Sequence, residues 1–296
     1  MGKINVSKDF HTFCDNLRMS DATVEKVQNR YHAITKNINN SFWGINSDCG
    51  HSRYVGSYGR GTCIYTSDID VVVELPWDQY TRFNQYSGNG QSALLAEVRN
   101  SLKSTYSSSK ISADGQVVDI VFSDGVKFEV VPAFKFPDDS GYCYPDTNHG
   151  GSWRHMNPKS EIDCFNGLNA MCNGNLKRFC RMLRAWKNEN YIFMNGILID
   201  SIAYKFFQNY EHADKSFVYY DWISRDFFRF LQDNSEKVNW DRPGDNGIIK
   251  REHSIEYDVI ATSDAVQEAL SYYSNDYYYL WHDKWREIYG TRFPAV

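Results

Sequence analysis

The chain has 296 residues, of which 42% are hydrophobic, so it is long enough to bury the core of one large or two ordinary domains. Its formal net charge of −5 argues against a protein that coats nucleic acid, because such binding relies on a broad cationic surface. The seven cysteines are an odd number without C-x-x-C spacing, no signal peptide precedes them, and no apolar run approaches the ~20 residues of a membrane span. We therefore expect a cytoplasmic protein.

The first half of the chain predicts a mixed α/β structure. Residues 7–43 predict one long helix, with Asp21 and Glu25 near an N-terminus and apolar side chains at three- and four-residue steps from Val24 to Ile38. A short strand, Ser52 to Val55, leads to a glycine turn, and a second strand, Asp68 to Leu75, is stopped by Pro76. Further predicted elements are a helix over 92–106 and a hairpin of 116–122 and 126–132 around Asp124-Gly125.

The second half predicts helices. Residues 136–158 are rich in Gly, Pro, Asp and Asn, which predicts an ordered surface loop and the best domain boundary. We therefore predict two domains, 1–158 with the long first helix as a spine and 159–296 as an α-helical lobe. Helices are expected at 160–172, 173–190, 196–211, 215–233 and 262–289, with a loop at 238–256.

Val55 to Pro76 holds the chemistry-bearing residues of the first half. Alternate side chains of a strand share a face, so Asp68 and Asp70 are predicted to project together while Ile69 is buried. Upstream, and separated from Asp68 by ten residues, Gly56-Ser57 lets backbone N–H groups approach an anion, because glycine has no Cβ. A phosphate cradle next to two carboxylates is typical of phosphoryl or nucleotidyl transfer with divalent metals.

Two residues of the hairpin compete to be the third carboxylate of such a site. Glu129 lies in Phe-Glu-Val-Val-Pro-Ala-Phe, and Asp119 lies in Val-Asp-Ile-Val. In both segments, the alternation of side chains along the strand places the carboxylate on one face and its apolar neighbours on the other, buried face. Two-metal nucleotidyl transfer uses three carboxylates, one of which can also act as base.

Taken together, Gly56-Ser57, Asp68-Ile-Asp70 and the Glu129 strand resemble the DNA polymerase β-type nucleotidyltransferase superfamily. Within it, the chain is similar to the bacterial cyclic-oligonucleotide synthases of antiphage (CBASS) defence, or CD-NTases, which are relatives of animal cyclic GMP–AMP synthase and oligoadenylate synthetase. The resemblance implies a nucleotidyltransferase α/β core with a mixed sheet, joined to an α-helical lobe, with nucleotides in the cleft between them.

The resemblance also implies roles for individual residues. Asp68 and Asp70 would bind two Mg²⁺ ions, with Mn²⁺ as an alternative, and Gly56 and Ser57 would hold donor phosphates. Glu129 falls where relatives usually carry aspartate, so the third metal ligand is one methylene longer here.

Lys187 and Ser201 match a lysine and a hydroxyl that contact the donor triphosphate in this family. From the residues alone, Lys187 fits a solvated helix face equally well, and Arg60 fits either a phosphate contact or a loop support. Asn166 and Asn169 are candidates to read a base edge.

The function implied is synthesis of a cyclic dinucleotide from nucleoside triphosphates (GTP, ATP or pyrimidine nucleotides) with release of pyrophosphate. A separate effector such as a STING-like receptor would read the product. We expect a monomer that binds neither membrane nor long nucleic acid. The alternatives are a nucleotidyltransferase that modifies RNA or protein and an inactive nucleotide-binding scaffold of the same fold.

Overall fold

A computed structural model describes residues 3–245 and 247–296. The strands are β1 (Ser52–Tyr54), β2 (Ile69–Glu74), β3 (Lys110–Asp114), β4 (Val117–Val121), β5 (Lys127–Lys135), β6 (Tyr142–Asp146), β7 (Ser152–Met156), β8 (Asn239–Asp241) and β9 (Ile248–Lys250). The α-helices are α1 (Val6–Asn16), α2 (Asp21–Ile38), α3 (Gly56–Arg60), α4 (Trp77–Asn84), α5 (Gly90–Thr105), α6 (Pro158–Met171), α7 (Asn175–Glu189), α8 (Gly196–Phe207), α9 (Tyr220–Asp233), α10 (Glu256–Ser274) and α11 (Tyr278–Tyr289).

Contacts divide the chain into two compact units. The sheet unit contains Met19–Arg60 and Thr66–Ile162, and the helical unit contains residues up to Arg18, Gly61–Tyr65 and Asp163–Val296. The chain therefore crosses from one unit to the other directly before and after the five residues that follow α3. The division into 1–158 and 159–296 stays a prediction.

The sheet unit is built on a mixed seven-stranded sheet. Five strands follow the order β1-β2-β5-β4-β3, while β6 pairs with β5 and β7 with β6. Only β2 and β5 run parallel. One face of β2 buries Ile69, Val71 and Val73 in the core that includes residues of α2 and α5. Asp70 and the residues in line with it therefore lie on the opposite face.

The helical unit has an aromatic core. Helix α1 contributes Phe10, which lies 5.1 Å from the ring of Trp285 in an edge-to-face arrangement, a geometry that aromatic pairs favour. The large side chains that are fully buried here include Phe13, Phe165, Phe179, Trp186, Tyr220, Trp281 and Tyr289. The same unit carries a two-stranded antiparallel sheet of β8 and β9.

Two predicted helices are each broken in two. The prediction of one helix over 7–43 is wrong, because the Ser20 hydroxyl accepts the Thr23 N–H and starts α2 as a new helix. The predicted spine helix is thus split between the two units. The helix predicted over 262–289 is divided between α10 and α11, where Asp276 takes a left-handed conformation with φ of 56°.

The predicted loop over 136–158 is also wrong. It contains the antiparallel strands β6 and β7, whose register pairs Tyr144 with Arg154. Their turn residues include His149, Gly150 and Gly151, all with positive φ. Polar residues and Pro145 concealed the strands, because the pattern lacks the β-branched alternation that usually identifies a strand.

Candidate active site

Three carboxylates form a row across neighbouring strands of the sheet unit. In the parallel pair of β2 and β5, Asp70 lies opposite Glu129, and in the antiparallel pair of β4 and β5, Glu129 lies opposite Asp119. Residues opposite each other on paired strands have their side chains on the same face. The sheet therefore brings both hairpin candidates to Asp70, and Asp68 stands directly before β2.

Lys127 places an ammonium group among these carboxylates. Its Nζ lies 2.5 Å from Glu129 Oε1, 3.2 Å from Asp119 Oδ1 and 3.7 Å from Asp68 Oδ2. Lys127 and Glu129 share a face because they are two residues apart on β5. Sequence reasoning missed this lysine, although that spacing could have revealed it.

Burial and the neighbouring carboxylates raise the pKa values of the two aspartates. Burial, and then the charge of Glu129 and a hydrogen bond with it, raise the pKa of Asp70 to about 7, although Arg60 opposes the shift. Burial also raises the pKa of Asp68; Lys127 lowers it, while Glu129 and Asp119 raise it further. Burial lowers the pKa of Lys127, but the hydrogen bond to Glu129 and the charges of Glu129 and Asp119 outweigh burial and raise that pKa. A bound cation would lower these raised pKa values and so allow the carboxylates of the row to be ionised together.

The backbone of Gly56 lies so close to Asp70 that a side chain there would collide with the carboxylate. It has a φ of 58°, and a Cβ built on it would lie 1.9 Å from Asp70 Oδ2. Only glycine therefore fits this position without displacing the carboxylate. Ser57 follows in α3 and is half-buried. The structure thus brings the predicted cradle and the predicted metal ligands together within one unit.

Arg60 is buried, with 4% of its surface exposed, and its Nη1 pairs with Glu161 Oε1. Both residues belong to the sheet unit. Of the two readings left open by the sequence, the geometry favours support of the α3 segment, because the guanidinium already has a carboxylate partner. Its assignment as a phosphate ligand stays a prediction.

Lys187 and Ser201 line two different cavities of the helical unit. Lys187 borders a groove of about 630 Å³ together with Tyr191, Met194 and Lys250. Ser201 is buried and borders a cavity of about 290 Å³ that Trp240 also lines, and its hydroxyl has no hydrogen-bond partner among the described residues. Their shared role at a donor triphosphate stays a prediction.

Two other cations lie beside Gly61, the residue that follows α3 in the chain. Arg181 Nη1 donates to the Gly61 carbonyl at 2.7 Å, and a Cβ at Gly61 would contact Lys177 Cδ at 3.5 Å. Lys177 also binds the two asparagines that are candidates to read a base edge. Its Nζ donates to Asn166 Oδ1, and its backbone N–H donates to Asn169 Oδ1. The sequence alone could have shown that Lys177, Arg181 and Arg184 share one face of a helix, because they are spaced by four and three residues.

A buried ion pair of the helical unit contacts the five residues that follow α3, 61–65. Arg184 Nη1 and Nη2 lie 2.5 Å and 2.9 Å from the two oxygens of Asp200, and the Thr62 hydroxyl donates to Asp200 Oδ2 at 2.7 Å. Asp200 is completely buried. Because both charges are matched and hydrogen-bonded, the pair holds residues 61–65 in a defined position within the helical unit.

We expect Asp200→Asn to lower the free energy of unfolding by about 3–5 kcal/mol, because the buried guanidinium of Arg184 would lose the carboxylate charge that pairs with it on both nitrogens. Chemical denaturation measures the change. Asp214→Asn, at an exposed pair with Lys215, is the matched control and should cost less than about 1 kcal/mol. An equal effect of the two substitutions would contradict the role of the buried pair.

The donor set of the row suits a hard divalent cation. Carboxylate oxygens are the protein ligands that Mg²⁺ and Mn²⁺ prefer, and the four acids of the row carry more negative charge than the single Lys127 ammonium balances. Within residues 3–245 and 247–296, no three acidic, histidine or cysteine side chains already converge in a metal-binding arrangement. The Lys127 ammonium instead lies among three of the carboxylates.

Fold and site define a nucleotidyltransferase-type protein, and comparison with known families agrees. The model of the Second Messenger Oligonucleotide or Dinucleotide Synthetase domain matches residues 4–169, more than half of the chain. The chain belongs to this family. The resemblance to the CD-NTases is thereby confirmed, whereas no curated protein sequence matches the chain.

Solved structures share the fold at low identity. Escherichia coli MS115-1 CdnC, in its complex with HORMA-deltaN, matches with a TM-score of 0.70 at 14% identity, over 98% of each chain. Bradyrhizobium diazoefficiens CdnG in complex with GTP matches with a TM-score of 0.73 at 11% identity, over 98% of this chain and 97% of that chain. Vibrio cholerae DncV cyclic AMP-GMP synthase, with the linear intermediate 5′ pppA(3′,5′)pG, matches with a TM-score of 0.66 at 16% identity, over 82% and 69%.

These likenesses confirm the predicted fold class, a polymerase-β-like core with a mixed sheet joined to a helical portion. Each described helix is too short or too polar to cross a lipid bilayer.

Proposed function

We propose that this chain is a Mg²⁺-dependent nucleotidyltransferase that joins two nucleoside triphosphates into a cyclic dinucleotide and releases pyrophosphate. The observation that carries the proposal is the row of Asp70, Glu129 and Asp119, with Asp68 at its end and Gly56 packed against Asp70. Membership of a second-messenger synthetase family supports the same reaction.

Asp68, Asp70 and Glu129 would hold the two metal ions. Bound there, the metals would lower the pKa of a ribose hydroxyl and neutralise charge on the reacting phosphate. Gly56 and Ser57 would orient the donor, because the backbone at Gly56 can approach a phosphate without hindrance from a Cβ. Glu129 would accept the proton of the attacking hydroxyl, since it is a carboxylate at the centre of the row.

Two attacks would complete the product. In the first, a ribose hydroxyl of one nucleotide attacks the α-phosphorus of the other, and pyrophosphate leaves. In the second, a hydroxyl of the linear product attacks its remaining triphosphate, a second pyrophosphate leaves, and the ring closes. The linear dinucleotide bound by DncV and the GTP bound by CdnG support such a sequence, although both belong to other proteins.

We further propose that GTP, ATP or pyrimidine triphosphates are the substrates, that the product contains guanine, and that it acts in CBASS antiphage defence through a STING-like effector. Membership of a second-messenger synthetase family supports nucleoside triphosphates as the substrates, while the product, the defence role and the effector are proposed on the resemblance to the CBASS synthases. The net charge of −5 favours small nucleotides over a polymer substrate. A monomer in the cytoplasm is sufficient for this chemistry.

Incubation with α-³²P-labelled nucleoside triphosphates and Mg²⁺ or Mn²⁺ tests the proposal. We expect a small labelled product that resists alkaline phosphatase, because a cyclic dinucleotide has no terminal phosphate. Label on RNA or protein would instead favour a transferase for macromolecules. Nucleotide binding without turnover would favour an inactive scaffold.

A further inference from the structure

Lys127 occupies the position that a cation would need in the carboxylate row. It is the basic group nearest to three different acids, at 2.5 Å from Glu129, 3.2 Å from Asp119 and 3.7 Å from Asp68. Its side chain is half-buried, with 27% exposed, so water screens the charge only in part. The ammonium therefore acts as the counter-ion of the row.

This arrangement competes with a metal for the same carboxylates. Mg²⁺ requires oxygen ligands at about 2.0–2.1 Å in near-octahedral geometry, and an ammonium is not a ligand. With Nζ 2.5 Å from Glu129 Oε1, the ammonium takes up space and lone-pair directions at that oxygen and repels a divalent ion that approaches it. Movement of Lys127 away from Glu129 would therefore favour metal binding by the row.

Asp119 is a second carboxylate with which the Lys127 ammonium can pair. Its Oδ1 is buried and has no hydrogen-bond partner among the described residues, although Lys127 Nζ is only 3.2 Å away. The contact is close but poorly directed. A buried acceptor without a donor is costly, so a small rotation of the lysine toward Asp119 would improve that contact while freeing Glu129.

We propose that Lys127 is an exchangeable counter-cation, and that Asp119 receives its ammonium when a metal binds Asp68, Asp70 and Glu129. The proposal rests on the metal site of the proposed function. It assigns different tasks to the two hairpin carboxylates: Glu129 is a metal ligand, and Asp119 is a positioning residue that acts through Lys127. The lysine keeps the metal-free row stable and sets the metal concentration at which the row fills.

Metal binding to the full-length chain, measured by Mn²⁺ calorimetry and electron paramagnetic resonance without nucleotide, tests this directly. We expect Lys127→Met to tighten Mn²⁺ binding by about tenfold or more, because the competing charge is gone. The same variant should unfold at a lower temperature without metal, because the carboxylates then repel one another. Lys127→Gln provides a second variant with a polar side chain should the methionine variant fail to fold.

Lys103→Met is the matched control, since Lys103 is exposed on α5 and α5 residues pack on the opposite face of the sheet. Its Mn²⁺ affinity should stay within about twofold of the parent chain, as expected for an independent site. Equal affinities for the parent chain and both Lys127 variants would overturn the proposal.

A double-variant cycle separates Asp119 as a positioning residue from Asp119 as a ligand. We expect Asp119→Asn to weaken Mn²⁺ binding clearly when Lys127 is present, because the displaced ammonium then has no partner. In the Lys127→Met background the same change should have at least about a fivefold smaller effect, which is the size of coupling expected for contacting residues. An equal loss in both backgrounds would make Asp119 a ligand and overturn the proposal. Absence of Mn²⁺ binding to the parent chain would instead contradict the metal site itself.

Discussion

Asp68→Asn together with Asp70→Asn should reduce nucleotide turnover by at least about a thousandfold. The amides keep the size of the side chains but remove the charges that would hold the metals, whose stabilisation of the reacting phosphate amounts to several kcal/mol. The fold should survive, because Asp68 has 49% of its side chain exposed and the strand core beneath Asp70 is unchanged. A radiolabelled turnover assay and thermal unfolding measure the two effects.

The hairpin variants extend this prediction. Glu129→Gln should reduce turnover far more than Asp119→Asn at saturating metal, because Glu129 lies directly opposite Asp70 and Asp119 is one strand further away. The reverse order would mean that Asp119 is the third ligand. Near-parental turnover in the Asp68 and Asp70 variant would remove the catalytic assignment altogether.

Gly56→Ala should reduce turnover by about a hundredfold. The new Cβ would lie 1.9 Å from Asp70 Oδ2, so either the cradle or the carboxylate must move by an ångström or more. Displacements of that size at a reacting centre cost about two orders of magnitude. Steady-state turnover at saturating nucleotide and metal is the measurement.

Gly44→Ala is the matched control for the backbone conformation. Gly44 has a φ of 67°, close to the 58° of Gly56, but a Cβ there would meet nothing within 4 Å. Both variants bear the cost of a left-handed alanine, which is about 1 kcal/mol, and only Gly56→Ala adds the collision. Similar turnover in the two variants would show that the approach to Asp70 is unimportant.

The central part of the site could be predicted because it depends on local patterns. Alternation along β2 predicted that Ile69 is buried and that Asp70 lies on the other face, and the Asp124-Gly125 turn predicted the hairpin that carries Asp119 and Glu129. The parallel pairing of β2 with β5, which places Glu129 opposite Asp70, joins segments far apart in the chain. No local pattern specifies such a pairing.

Other features depended on tertiary contacts. Lys127 looked like an ordinary strand lysine until the sheet surrounded it with acids from three segments. Arg184 could equally have been solvated, and only the fold buries it against Asp200. Ser20 caps α2 directly before Asp21, where the sequence predicts a helix N-terminus, but the prediction of one helix over 7–43 ran through this cap.

Mass spectrometry of the nucleotides formed from all four triphosphates with Mg²⁺ tests the central claim most directly. We predict a species with the mass of two nucleoside monophosphates joined with loss of two waters, and its absence when Asp68 and Asp70 are replaced by asparagine. Triphosphates that remain unchanged, or a product that persists in the asparagine variant, would contradict the claim that this carboxylate row synthesises a cyclic dinucleotide.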